Sequence, residues 1–113
     1  FEHAQQAMAI VRPDGRVQAM NRAGRALLPA DVDPIGRPFA ALPFWSTDPD
    51  ATARLLADAV ESCLGGSVFR TNANVVLPDG ARRALDFSLW PVTADGQVFA
   101  IIAEAREMAD RGN

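Results

Sequence analysis

Lysine is absent from this 113-residue chain, and cysteine and histidine occur once each, as Cys63 and His3. All eleven basic residues are arginines scattered along the sequence, and the net charge is -3. Without a basic stripe, nucleic-acid binding has no electrostatic footing. A single cysteine excludes an internal disulfide and fits a reducing compartment, so a cytoplasmic setting is expected. One histidine and one cysteine far apart in sequence do not supply a metal-ligand cluster. No serine, cysteine or carboxylate pair is spaced to make a nucleophile–base unit with His3, so the domain is expected not to be an enzyme. Apolar runs last only a few residues, too short to span a membrane, and no membrane contact is expected. No basic-then-apolar leader is visible. The first and last residues, Phe1 and Asn113, read as the ends of a piece cut from a longer polypeptide.

What is present describes one domain over residues 1–113, with 49% apolar and 22% charged residues. Phe87-Ser88-Leu89-Trp90-Pro91-Val92 alternates apolar with small or polar side chains between Asp79-Gly80 and Asp95-Gly96. Period-two alternation bounded by Asp-Gly pairs predicts antiparallel hairpins. A first hairpin is expected where Met8–Val11 and Val17–Met20 flank Asp14-Gly15. Asn21 is placed to cap a short helix running to Leu28, which Pro29 stops. Prolines 34, 38 and 43 then allow only short helical turns, around Ile35 to Leu42. Asp48-Pro49 supplies a cap and a first-turn proline for a long helix from Pro49 to Leu64. Thr52, Leu55, Leu56, Ala59, Val60 and Cys63 form its apolar face, and Gly65-Gly66 ends it. Three strands follow. Their core-facing sets are read as Phe69, Thr71, Ala73 and Val75; Leu85, Phe87 and Leu89; and Phe99, Ile101, Ala103 and Ala105. Strands and helices in this order imply an α+β fold, a five-stranded antiparallel sheet covered on one face by short helices and one long helix. Met108 to Asn113 are expected to begin an exposed connector to an output domain.

The same order of motifs resembles the PAS domain family along nearly the whole chain. The likeness rests on Phe1-Glu2 before Ala7–Val11, on Pro13–Val17 followed by Met20-Asn21, on Ile35–Phe39, on Phe44-Trp45 ahead of Asp48-Pro49, and on Asp86–Val92. The last strand runs into Arg106-Glu107-Met108-Ala109, where the family usually carries Arg-Asp-Ile-Thr. Here the charge survives in Glu107 and the hydroxyl is gone. The resemblance implies a sensory and dimerising module of a larger bacterial signalling protein, such as a sensor histidine kinase or a cyclic-dinucleotide enzyme. It also implies a pocket between the helices and the inner sheet face.

In that pocket the helical side would contribute Phe44, Trp45, Leu56 and Val60. The sheet would contribute Thr71, Ala73, Phe87, Leu89, Ile101 and Ala103. Two outcomes stay open: a small organic ligand fills the space over the small residues, or Phe44 and Trp45 fold down and fill it themselves. No cofactor is expected. Family members that hold haem use a histidine on the long helix, which has none here, although Cys63 is a conceivable ligand. FMN photochemistry needs a cysteine before that helix, where this chain has Ala40–Trp45. FAD held without a covalent bond needs no diagnostic residue and stays open. On the outer sheet face, Val76, Trp90, Ala100 and Ile102 are expected to form a contact surface for a second copy or a flanking signalling helix. The family likeness assigns Glu107 to coupling the sheet to an output helix, with Arg82, Arg83 or Arg106 as its partner. Two competing readings are a ligand-free adaptor that only dimerises and a cone-shaped isomerase-like enzyme, which would need a tuned acid or base in the cavity.

Overall fold

Asn21 organises the first third of the molecule. In the computed structural model, which describes residue 1 and residues 5–45 and 49–108, its side chain accepts from the Gly24 amide at 2.9 Å. That bond caps α1, Arg22–Arg25, and the cap follows directly from hairpin β1 (Ala7–Val11) and β2 (Val17–Met20). A proline-rich stretch comes next, holding one 3₁₀ turn, Phe39–Ala41. The helical turn expected over Ile35 to Leu42 is thus confined to its second half. Ile35 itself is exposed, at the corner of a turn in which Arg37 N donates to Pro34 O and Gly36 adopts φ 83°. The long helix α2 spans Pro49–Leu64, as the spacing predicts, and the cap assigned to Asp48 lies outside the described residues. Gly66, at φ 96°, lets the chain turn back so that Ser67 N donates to Ser62 O and Gly66 N to Cys63 O.

β3 (Phe69–Val76), β4 (Arg82–Ala94) and β5 (Gln97–Glu107) complete one antiparallel sheet in the order β2-β1-β5-β4-β3. The α+β architecture expected from the sequence is therefore the observed one. Asp95 and Gly96 both adopt positive φ, at 52° and 76°, the backbone that a two-residue hairpin between twisted strands needs. β5 lies in the middle, so its inner side chains meet β1 on one side and β4 on the other. Ala103 faces both Ala9 and Leu89, and Ala105 faces both Ala7 and Phe87.

The core lies between this face and the helices. Leu56, Ala59 and Cys63 of α2 are buried, and Leu89, Ile101 and Val75 receive them from the sheet side of the same cluster. Two expected core residues turn outward. Leu55 is 42% exposed. At 100° per residue Leu55 and Val60 lie about 70° to either side of the middle of the Leu56–Ala59–Cys63 stripe; Val60 packs against the core and Leu55 does not, so the helix is rolled toward its Val60 side. Phe99 is 56% exposed because the β4–β5 register shifts between Val92 and Thr93. One additional residue on β5 reverses its alternation, which turns the partly buried Val98 toward the core instead. The final residues 109–113, assigned to a connector, lie outside the described residues.

Candidate functional site

The inner face offers a site by being shallow where its side chains are small. Ala7, Ala9, Ala103 and Ala105 form a low patch across the two central strands. Phe39, Phe44 and Phe87 line the space above it, and Trp45 packs behind them toward β3. Phe44 and Trp45 are both buried, with ring centroids 4.6 Å apart and planes at 74°. Trp45 also meets Phe39 at 5.4 Å, edge to face, and Phe87 at 4.9 Å. These are favourable geometries for aromatic quadrupoles, and the indole N–H donates to Phe39 O at 2.9 Å. The turn carrying the rings is pinned to β3, since Val76 N donates to Phe44 O and Trp45 pairs with Val75.

The structure thus brings Phe44, Trp45, Leu56, Phe87, Leu89, Ile101 and Ala103 into one cluster. Val60, Ala73 and Phe69 pack at its margin. Thr71 is half-buried, and its hydroxyl donates to Asn72 O, not into the cluster. The space left over the alanines, beside Met20, Leu27 and Phe39, is a void of about 20 Å³, room for one water and no organic molecule. No buried side-chain nitrogen or oxygen among the described residues lacks a hydrogen-bond partner. Cys63, fully buried, donates to Leu89 O at 3.4 Å. Burial pushes its thiol above the usual range, with a backbone hydrogen bond working the other way. Its unreactive thiol form is therefore the one the fold favours. Among the described residues no group of three or more His, Cys, Asp or Glu is placed to hold a metal. His3 lies outside them.

The outer face has a clear grain. Register sets Ala19, Ile10, Ile102 and Trp90 in one row straight across four strands. Val68, one residue ahead of the Phe69–Leu89 pair and 60% exposed, adds an apolar side chain beyond Trp90. Val92 and Ala100 pair in the next row. Ala100, the shortest of the group, is buried, while Trp90 and Ile102 are half-buried. Val76 does not belong to this patch. It pairs with Arg82 at the far end of β3, about 26 Å along the strand from Val68. Ile10 takes its place, a member that period-two reading of β1 alone could have supplied.

Glu107, the last residue of β5, pairs in register with Leu85 and forms an ion pair with Arg83. Parity selects this partner: Arg83 lies two residues from Leu85 and shares its face, whereas Arg82 and Arg106 occupy the other. Both side chains are more than half exposed, so the pair adds little stability. Among the described residues no helix is long and apolar enough to cross a membrane.

Solved structures share this arrangement. A PAS domain from Colwellia psychrerythraea superposes with a TM-score of 0.75 at 14% identity, covering 96% of this chain and 90% of that one. A domain of a sensory box sensor histidine kinase/response regulator from Geobacter sulfurreducens gives 0.72 at 19% identity, covering 95% and 87%. VqmA bound to DPO gives 0.79 at 18% identity, with 97% of this chain matching 55% of that one. No curated protein matches the chain in sequence. At these identities the structures speak for the fold alone. A family model described as the PAS fold matches residues 1–113. With a sheet, helices and family match that agree from end to end, this chain belongs to the PAS family of sensory domains.

Proposed function

We propose that this PAS domain is a non-catalytic, homodimerising module of a cytoplasmic signalling protein, with a sensor histidine kinase as the favoured parent. One observation carries this reading: the apolar row Ile10–Ile102–Trp90 lies on the sheet face opposite the helices, and among the described residues no helix covers it. An aromatic and two isoleucines in line across strands make a contact surface of the kind that interfaces use. The parent class is supported by the fold likeness to the Geobacter sulfurreducens kinase domain.

Trp90→Glu is expected to weaken self-association at least about tenfold in sedimentation equilibrium, since it places a charge at the centre of the contact. Thermal melting should change little, because Trp90 is only half-buried in the single chain. An unchanged monomer–dimer profile at every concentration would refute the reading.

A small organic ligand is the second reading, motivated by the alanine floor under the aromatic cluster. Such a ligand has to displace Phe44 or Trp45, since the free space of about 20 Å³ is too small. Signal output is assigned to the Arg83–Glu107 pair, which ties the end of β5 to β4. In the full-length parent, Glu107→Ala is expected to alter output while changing stability by no more than about 1 kcal/mol. A normal signal response would remove Glu107 from the coupling route.

A further inference from the structure

Beside the apolar row, the outer face carries a depression of about 370 Å³ with four charged side chains around it: Arg70, Asp86, Glu104 and Arg106. Register places them on adjoining rows. Ser88 stands between Arg70 and Glu104 in the first row, and Asp86 is directly opposite Arg106 in the second. None of the four forms an ion pair or a side-chain hydrogen bond among the described residues, where the ion pairs are Arg12–Asp14 and Arg83–Glu107. Two cations and two anions lie together on one face, each without an opposite charge in contact. Four charges on one face, none of them paired within the chain's described residues, are free to pair across a contact with another surface.

We infer that the outer face pairs with a second copy of itself about a two-fold axis parallel to the strands and midway between β4 and β5, matching Asp86 of each copy to Arg106 of the other. The inference rests on the homodimer reading and adds its geometry. An isologous contact lays the same patch on itself, so the symmetry axis alone decides which residue meets which. Sheets packed face to face prefer nearly aligned strands, which an axis along the strands provides.

This axis exchanges β4 with β5 and β1 with β3. Trp90 then lies over Ile102 of the other copy, Val92 over Ala100, and Ile10 over the Val68 edge, apolar on apolar throughout. In the polar rows Asp86 lies over Arg106. Glu104 lies over Ser88, with Arg70 of the other copy one strand away and within reach of its long side chain. All four charges find an opposite. An axis across the strands does not achieve this. Placed on the apolar row, it sets Glu104 and Ser88 against Ala100 and Val92. Placed between the charged rows, it sets Trp90 against Ala84 and buries the tryptophan on nothing larger than a methyl group. Charge pattern and apolar pattern select the same symmetry, and such complementarity fixes the register of a contact more than its strength.

The test uses two variants of the 113-residue chain, Asp86→Arg and Arg106→Glu, measured alone and mixed. Each variant alone sets like charges against like twice per dimer, and its dissociation constant should rise about tenfold or more. Mixed in equal amounts, they should form a heterodimer at close to wild-type affinity, because the side chain introduced by Asp86→Arg in one copy meets the one introduced by Arg106→Glu in the other and the native pair survives on the opposite side. Higher salt should shrink both effects. Far-ultraviolet circular dichroism and melting of each variant report folding separately. A wild type that stays monomeric at all concentrations overturns the homodimer reading and this one with it. A wild-type dimer that Trp90→Glu breaks, but in which the mixture associates no better than either variant alone, leaves the surface assigned and overturns the axis.

Discussion

Replacing Trp45 by alanine is expected to cost about 3–5 kcal/mol of folding stability, the range for deleting a large buried aromatic. The magnitude follows from what the indole does. It is 4% exposed, lies within 5.4 Å of three other rings by centroid, and donates its N–H to Phe39 O. The variant loses transfer energy, three aromatic contacts and one buried hydrogen bond, and leaves Phe39 O without its partner. The paired strands β3 and β4, which meet the ring at Val75 and Phe87, are held by their ladder and cannot close the gap, so most of the volume remains as cavity. A domain of this size should lose roughly 15 °C in Tm. Urea unfolding of the wild type and variant measures the difference directly. Indole added to the variant should recover part of the loss, as a ligand that binds only the folded state must. A cost below about 1 kcal/mol would mean that the ring does not pack in the ground state, and the space beneath it would then be open to a small molecule.

The sequence pattern predicts the inner and outer faces of the sheet closely, and its failures have local causes. Strand alternation places Phe87, Leu89, Ile101 and Ala103 inside without any knowledge of neighbours, because side-chain period along a strand is fixed by the pleat. Phe99 defeats the same rule because the bulge at Val92/Thr93 inserts one residue, and nothing in the apolar pattern marks where a ladder slips. Leu55 is apolar at the margin of an amphipathic stripe, where a few tens of degrees of helix rotation decide exposure, and sequence does not set that rotation. Whether Phe44 and Trp45 line a pocket or fill it is undetermined by composition, since the same residues suit either state. The fill depends on the proline-bounded turn that aims them inward. The partner of Glu107 was legible in principle, as strand parity alone separates Arg83 from Arg82 and Arg106 once the Leu85–Glu107 register is known. The charged quartet of the outer face, by contrast, comes from four positions on three strands and has no sequence signature at all.

Asn21 carries the second large effect, and its chemistry makes the prediction more specific than a loss of stability. The residue is wholly buried and all its side-chain capacity is used. Oδ1 accepts from the amides of Met8 and Gly24 at 2.9 Å each, while Nδ2 donates to Phe1 O at 3.0 Å and Gln6 O at 2.8 Å. The capping bond was readable from the sequence; the other three exist only once the hairpin brings β1 alongside. Asn21→Ala removes all four bonds at once and should cost about 2–4 kcal/mol, combining a lost cap with unpaired donors and acceptors out of reach of water. Asn21→Asp separates the two halves of the amide. A carboxylate keeps both acceptor bonds but confronts the carbonyls of Phe1 and Gln6, so the charged form is disfavoured by burial and by those dipoles. Full burial and the two carbonyl dipoles are expected to outweigh the two amide donors that favour the charged form, which sets its folded pKa above the unfolded value. A group with a raised folded pKa contributes most below its unfolded pKa, and the contribution declines as pH climbs through the folded one. The Asp variant should accordingly approach wild-type stability near pH 4 and fall away from it toward pH 7, whereas the Ala variant should show a nearly constant deficit. Denaturant titrations of the three proteins at those two pH values distinguish the cases. An Asp variant level with the wild type at both pH values would show that the Nδ2 bonds to Phe1 and Gln6 contribute nothing, leaving the two bonds that Oδ1 accepts as the whole role of Asn21.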